Sequence, residues 1–196
     1  MPRPPARLIL ASGSPRRREL LAHLGVPFEV AAADLDEAVH PGEAPAAYVE
    51  RLARAKAAAL AGGEAHVLAA DTSVVVDEEI LGKPGSDPAA GAAMLRRLQG
   101  RTHQVLSGVA VAHRGRTLAR VVATAVTFRP LEEAELAWYV ATGEGQDKAG
   151  GYALQGRAGL FIREVRGSSS NVIGLPLAET VELLREAGFS LPWGPR

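Results

Sequence analysis

The chain has 196 residues, 47% of them hydrophobic and 22% charged, which is the balance of a globular protein with a sizeable core. Lys plus Arg and Asp plus Glu number 22 each, so the net charge of zero provides no general attraction for nucleic acid or a membrane. The lack of cysteine excludes disulfides and thiolate metal sites. No apolar run is long enough for a signal peptide or a membrane span, and we therefore expect a cytoplasmic protein.

The first predicted elements are a strand at residues 7–11 and a helix that begins after Ser14. Ser14 suits the N-cap and Pro15 the first helical position. Three consecutive arginines, residues 16–18, then oppose the helix dipole, which favours acids at this end. A docked anion would explain them, with Ser12, Ser14 and the free backbone N–H groups completing a cradle; a solvated basic turn explains them equally well. The GxxxxGK[ST] pattern of a Walker loop is absent.

A second strand at residues 28–32 leads through the acidic loop 34–37 to a helix predicted at residues 46–60. Acids in such a loop are usually solvated, although one of them could be a metal ligand. Lys56 follows Leu52 by four residues and therefore lies on the buried stripe of the helix. From spacing alone we expect Lys56 to snorkel outward to water. The alternative is that it points into a polar cavity that holds an anion.

The central segment of the chain combines apolar sequence with polar groups. Its first apolar run, residues 67–70, predicts a buried strand with Asp71 and Thr72 at its end, and a second run follows at residues 73–76. A carboxylate within apolar sequence is costly to bury unless a metal, a cation or several N–H donors pair with it. Together with Lys83, the segment offers an acid, a hydroxyl and a lysine around apolar structure, which is typical of a binding or catalytic site.

The glycine-rich segment at residues 143–176 also indicates a ligand surface, because it is long and carries Lys148 and Gln155 between short apolar runs. We expect Trp138 and Tyr139, which precede it, in the core. Alternating strands and helices with one antiparallel hairpin predict a mixed α/β fold (mixed α+β). The other predicted elements are a helix at residues 88–98, the hairpin strands at 104–112 and 118–128, a helix at 132–141, a strand at 160–165, a polar turn at 166–171 and a helix at 177–187.

Several of these segments together resemble the Maf family of nucleoside triphosphate pyrophosphatases. The resemblance implies a fold like that of the inosine triphosphate pyrophosphatases: an elongated mixed β-sheet flanked by helices, in one domain over residues 1–196. That domain would consist of two closely packed lobes with an active-site cleft between them. The matching segments are LASGSPRRRELL at 10–21, AADTSVVVDEEILGKP at 69–84, GRTHQVLSGVAV at 100–111, DKAGGYALQG at 147–156 and GSSSNVIGLPL at 167–177.

The resemblance also implies a reaction, the hydrolysis of a nucleoside triphosphate between its α and β phosphates to a monophosphate and pyrophosphate. A divalent cation, Mg²⁺ or Mn²⁺, would be the cofactor. The DKAG…QG pattern is that of the subfamily acting on dTTP and UTP, and modified pyrimidine nucleotides are further candidate substrates. Departures from the usual pattern at Ser73, Gly151 and Ala153 bear on fine specificity more than on the reaction.

The family motifs assign roles to individual residues of this chain. Asp71 matches the proton acceptor, and Glu37 matches an acid placed near the metal. The chemistry of the residues makes Asp71 a second candidate ligand of the metal. Two carboxylates suffice for Mg²⁺, which completes its coordination with substrate oxygens and waters. The residues matched to substrate binding and specificity are Arg16, Thr72, Gln155, Lys56, Lys83 and Lys148, and the arginine turn adds Ser12, Ser14 and Arg17.

The residues alone leave two alternatives open, the role of Asp71 and the choice of base. Asp71 could activate water directly or hold the metal whose bound water is activated. The Gln155 amide matches part of the pairing edge of uracil or thymine, but a rotated amide would match cytosine nearly as well, so the pyrimidine preference follows from the resemblance alone. The expected partners are a small-molecule nucleoside triphosphate and a second copy of the chain in a homodimer, with no membrane.

An alternative function is a nucleotide- or nucleic-acid-binding regulator of septum formation and cell division. Zero net charge and the lack of a basic helix face weaken direct DNA binding. The full set of acids and cations instead favours catalysis.

Overall fold

The computed structural model describes residues 6–193, which divide into two compact units. The described part of the first unit comprises residues 6–71, 107–122 and 174–193, and the second unit comprises residues 72–106 and 123–173. Within the described part of the chain, none of the helices combines the length and the apolar character that crossing a bilayer requires.

Within residues 6–193, seven strands form one sheet in the order β2-β1-β3-β5-β6-β7, with β4 paired to β3. The strands are β1 (Leu8–Ala11), β2 (Glu29–Ala31), β3 (His66–Val76), β4 (Glu79–Leu81), β5 (Thr102–His113), β6 (Arg116–Phe128) and β7 (Ile162–Arg166). Strand β1 is parallel to β2 and β3, whereas β4 and β7 are antiparallel to their partners. The turn between β5 and β6 has only two residues, which requires an antiparallel hairpin. The predicted mixed α/β class is confirmed.

The helices begin where the sequence offers local start signals. Pro15, Pro45 and Pro88 each occupy the start of a helix, where the missing N–H is not needed. The Ser14 side chain accepts a hydrogen bond from the Arg17 N–H, as an N-cap does. The helices are α1 (Pro15–Ala22), α2 (Pro45–Ala59), α3 (Pro88–Leu98), α4 (Glu133–Ala141), α5 (Ser169–Ile173) and α6 (Leu177–Glu186), with 3₁₀ helices at Ala149–Gly151 and Arg157–Leu160.

Small residues let α2 pack very closely on the sheet in the first unit. The core there includes Ala53 and Ala57 of α2 against Val67 and other buried residues of the sheet. A Cβ atom added at Gly108 of β5 would lie 2.1 Å from the Val49 carbonyl oxygen, so only glycine fits beneath this part of the helix. The α2 backbone therefore packs directly against β5 at this point.

The core of the second unit is rich in aromatic side chains. Phe128 packs edge to face on Tyr152 at 4.9 Å between centroids, and Tyr139 on Phe161 at 5.3 Å. Tyr139 is buried as predicted, but Trp138 is 46% exposed, so the prediction that both are core residues is wrong for Trp138. The side chains of neighbouring helix residues point about 100° apart. The core of this unit covers the side of α4 that carries Tyr139 and leaves Trp138 partly exposed.

Two further local predictions differ from the structure. The runs at residues 67–70 and 73–76 form a single strand, so Asp71 and Thr72 lie in the middle of β3 rather than at a strand end. Asp71 can be buried within the strand because the Lys56 ammonium of α2 compensates the charge of its carboxylate. Residues 169–173, placed partly in a polar turn, form the short helix α5, whose Asn171 N–H donates to the Ser168 hydroxyl.

Candidate functional site

Asp71 is paired with a buried lysine in the first unit. The Lys56 ammonium, from the last turn of α2, donates to Asp71 Oδ1 at 2.7 Å and lies 2.6 Å from Glu37 Oε1. Lys56 and Asp71 are each only 8% exposed. Snorkelling of Lys56 was therefore the wrong expectation. The energetic reason is that a carboxylate partner compensates the desolvation of the ammonium, which an apolar helix face could not do.

The loop that carries Glu37 is attached to α2. The Tyr48 hydroxyl donates to the Glu37 carbonyl oxygen at 2.9 Å, and Arg51 donates to the Ala38 carbonyl oxygen at 3.0 Å. Burial, together with the negative charges of Asp71 and Glu37, raises the pKa of Tyr48 to about 12, so it stays a hydrogen-bond donor at neutral pH. Helix α2 thus positions both Lys56 and the Glu37 loop.

The turn between β1 and α1 is held by its own serines and by Arg17. The Ser14 N–H donates to the Ser12 hydroxyl at 3.2 Å, and the Arg17 guanidinium donates to the same hydroxyl at 3.3 Å and to the Gly174 carbonyl at 2.8 Å. Arg16 is half-buried in this turn.

The Arg17 guanidinium also interacts electrostatically with the carboxylates of the first unit. Burial lowers its pKa, and the negative charges of Asp71 and Glu37 act in the opposite direction. The guanidinium remains a cation, because arginine is not deprotonated in proteins at ordinary pH. The first unit therefore brings together Ser12, Ser14, Arg16, Arg17, Glu37, Lys56 and Asp71.

The second unit contains Thr72, Lys83, Lys148 and Gln155. Thr72 is half-buried on β3 and Lys83 is exposed after β4. Lys148 donates to the Glu144 carbonyl oxygen and to Asp147 Oδ1, each at 2.6 Å. Gln155 is exposed at the centre of the turn formed by residues 153–156.

The loops that carry Lys83 and Lys148 are hydrogen-bonded to each other. The Gly150 N–H donates to the Gly82 carbonyl at 3.0 Å. Gly150 has a φ of +69°, and a Cβ atom there would lie 2.9 Å from the Val74 side chain. Gly150 thus permits a close backbone approach that a side chain at this position would block.

Sequence reasoning missed Glu144, which stands between two glycines without a recognisable motif. Its carboxylate accepts hydrogen bonds from the Tyr139 hydroxyl at 3.0 Å and from the Arg157 N–H at 3.0 Å. The only signal was a carboxylate within a glycine-rich segment, which by itself suggests a solvated loop.

The described residues contain no cluster of three or more His, Asp or Glu side chains able to hold a metal ion. Asp71 and Glu37 nevertheless contact one and the same ammonium group, so both carboxylates reach a single cationic centre. Such a pair fits Mg²⁺ or Mn²⁺ when substrate oxygens and waters complete the coordination.

A family model and individual relatives both match nearly the whole chain and agree on its family. The family model described as Maf-like protein matches residues 7–187. The dTTP/UTP pyrophosphatase of Anaeromyxobacter dehalogenans (strain 2CP-C) is 58% identical over 191 residues, covering 95% of this chain and 97% of the relative. The dTTP/UTP pyrophosphatase of Myxococcus xanthus (strain DK1622) is 56% identical over 188 residues, covering 95% of each chain.

Among solved structures, the Staphylococcus aureus Ham1 protein covers 62% of this chain and 71% of its own, with a TM-score of 0.45 and 17% identity. An overlap this partial supports no conclusion. The family model and the relatives span nearly the whole chain, and the resemblance expected from the sequence is confirmed. This protein belongs to the Maf-like protein family.

Proposed function

We propose that this protein hydrolyses dTTP and UTP to the corresponding monophosphates and pyrophosphate. The observation that carries the proposal is the 58% identity, over 95% of this chain, to a relative that is named dTTP/UTP pyrophosphatase. The residues of the first unit support it, since they combine cations suited to a triphosphate with a buried carboxylate suited to proton transfer.

The triphosphate is assigned to the turn at the start of α1 and to the lysines. The Arg17 guanidinium is already oriented by the Ser12 hydroxyl and the Gly174 carbonyl, so little side-chain entropy is lost when it binds a phosphate oxygen. Arg16, Lys83 and Lys148 are assigned to further phosphate oxygens.

Asp71 is assigned the role of proton acceptor. A water oxygen forms a bond to the α-phosphorus, the bond from that phosphorus to the bridging oxygen breaks, and the proton of the water passes to an Asp71 oxygen. Pyrophosphate leaves with the bridging oxygen. Lys56 holds the Asp71 carboxylate in place and balances its buried charge.

Asp71 and Glu37 are the residues that would hold the divalent cation. When bound, Mg²⁺ or Mn²⁺ would supply positive charge to the phosphate oxygens as negative charge develops on the leaving pyrophosphate. The shared contact of both carboxylates with Lys56 supports this assignment.

In the second unit, Gln155 is assigned to recognition of the base, and Thr72 to the nucleotide. The amide of Gln155 offers one donor and one acceptor to the pairing edge of uracil or thymine. Its exposed position on a tight turn leaves that amide accessible.

The test is a screen of the common and base-modified nucleoside triphosphates with purified protein and Mg²⁺ or Mn²⁺. We expect pyrophosphate release from dTTP and UTP, and a fall in kcat of about 10²- to 10⁴-fold in Asp71→Asn. Asp77→Asn, which alters an exposed carboxylate paired with Arg101, is the matched control and should stay active. Inactivity on every triphosphate, or release of orthophosphate in place of pyrophosphate, would refute the proposed function. Full activity of Asp71→Asn would remove Asp71 from the reaction.

A further inference from the structure

Gln155 lies on a turn whose first residue is held by a buried tyrosine. The Gly156 N–H donates to the Ala153 carbonyl at 3.1 Å, which closes the turn around Gln155. The Ala153 N–H in turn donates to the Tyr139 hydroxyl at 3.2 Å. Tyr139 is fully buried in the core of the second unit, so this end of the turn is anchored to a rigid group.

The other end of the same turn is held by Glu144. Its Oε2 accepts the Arg157 N–H at 3.0 Å and its Oε1 accepts the Ala158 N–H at 3.4 Å. The Tyr139 hydroxyl donates to Glu144 Oε1 at 3.0 Å. The two side chains are thus linked to each other and together hold both ends of the turn. We refer to Tyr139 and Glu144 as the turn clamp.

The fit between the turn clamp and the turn is close. A Cβ atom added at Gly156 would lie 2.3 Å from Glu144 Oε1, so the carboxylate occupies the space where a side chain would be. Glu144 is itself fixed through its backbone, because its N–H donates to the Thr142 hydroxyl at 3.2 Å and its carbonyl accepts the Lys148 ammonium at 2.6 Å. A carboxylate held at this many points is not simply a solvated loop acid.

The charge of Glu144 agrees with this arrangement. Burial raises the pKa of its carboxyl, but hydrogen bonds from the Arg157 N–H, the Tyr139 hydroxyl and the Ala158 N–H lower it, and the net pKa lies below the ordinary value. Glu144 is therefore ionised at neutral pH and acts as an acceptor at both oxygens, which makes these hydrogen bonds charge-assisted.

We infer that the turn clamp is a positioning element that orients Gln155 for recognition of the base. An exposed amide on an unsupported loop would lose conformational entropy on every binding event, whereas a turn held at both ends is ordered beforehand. The inference rests on the proposed function, since that function assigns the base to Gln155. Neither clamp residue reacts with the substrate.

A double-mutant cycle tests the inference. Glu144→Gln keeps the size of the side chain but removes the charge and one acceptor, and should lower kcat/KM for dTTP and UTP about tenfold. Most of the loss should appear in KM, and inhibition by inorganic tripolyphosphate, which lacks a base, should be unchanged. In a Gln155→Ala background, Glu144→Gln should change kcat/KM less than about twofold, because the group that it orients is gone. An equal loss in both backgrounds would overturn the inference.

Amide hydrogen exchange provides a measurement that does not depend on activity. Exchange at Arg157 and Ala158 should become at least about tenfold faster in Glu144→Gln, and exchange at Ala153 should do so in Tyr139→Phe. If exchange at these amides were unchanged in both variants, the inference about the turn clamp would be overturned even if the enzyme were active. Faster exchange in a protein that hydrolyses no triphosphate would instead refute the proposed function.

Two further variants complete the design. If Glu144→Gln does not fold, Tyr139→Phe tests the same clamp by removing only one hydroxyl, and it should produce the same pattern in the cycle with Gln155→Ala. Glu164→Gln, which alters an exposed carboxylate beside Arg166 in the same unit, is the matched control. It should leave both the kinetics and the exchange rates unchanged.

Discussion

Acidification from pH 7 to pH 4 should destabilise this protein through one buried histidine. His103 of β5 is only 2% exposed and packs edge to face on Phe128. Its Nε2 is hydrogen-bonded to the Tyr152 hydroxyl at 2.8 Å, while its Nδ1 has no partner among the described residues. A second proton on the ring would therefore be buried without an acceptor.

The magnitude follows from the pKa of this imidazole. Burial lowers the pKa of His103 from 6.5 to about 4, so the folded protein keeps it neutral while the unfolded chain binds a proton below pH 6.5. Its contribution to stability is complete above pH 6.5 and is lost as the pH falls to about 4. At about 1.36 kcal/mol for each pH unit across that interval, the loss is about 3 kcal/mol.

Urea unfolding at a series of pH values between 8 and 4 provides the assay. Other groups also titrate over part of this range, so the relevant quantity is the difference between the wild type and His103→Gln, whose amide is neutral at every pH. The wild type should lose about 3 kcal/mol more than His103→Gln on acidification. His40→Gln removes an exposed histidine and serves as the matched control. Equal pH dependence of the wild type and His103→Gln would refute the reasoning, because it would mean that the histidine is not kept neutral by the fold.

Two substitutions test the packing that places the site. Lys56→Met should lower the free energy of unfolding by about 3 kcal/mol, because it leaves a buried carboxylate without its cation, whereas Lys83→Met, at an exposed lysine, should change it by less than about 0.5 kcal/mol in the same urea titration. Full stability of Lys56→Met would argue against the buried ion pair. Gly108→Ala should cost about 1–3 kcal/mol or more in thermal unfolding, since its Cβ atom would overlap the Val49 carbonyl, while Gly62→Ala, with open space around it, should be neutral. Equal melting temperatures for these two variants would contradict the close packing of α2.

Local chemistry made several elements predictable. Helices α1, α2 and α3 begin at their prolines because the ring fixes φ and the missing N–H is not needed there, which involves only neighbouring residues. The same holds for the Ser14 cap and for the hairpin of β5 and β6, although both strands extend beyond the predicted bounds and leave a turn of only two residues. The prediction failed at Trp138, because the periodicity of a short, mostly apolar helix does not show which face the rest of the unit covers.

The family could likewise be predicted from the sequence, because its motifs are long and occur in a fixed order. The roles assigned to Asp71, Glu37 and Gln155 came with that resemblance and stay predictions until the proposed experiments are done. The sequence also contains residue types that suit a triphosphate, namely arginines at a helix N-terminus and lysines near apolar strands, and their role in binding stays a prediction.

The sequence by itself thus determined the mixed α/β class, the starts of the helices and the membership of the family. Only the tertiary structure decided that Lys56 is buried against Asp71 and Glu37 rather than snorkelling, and that Glu144 holds the turn of Gln155. The physical reason is that the cost of burying a charge depends on the partners that surround it. Those partners come from distant parts of the chain, where neither spacing nor hydropathy can identify them.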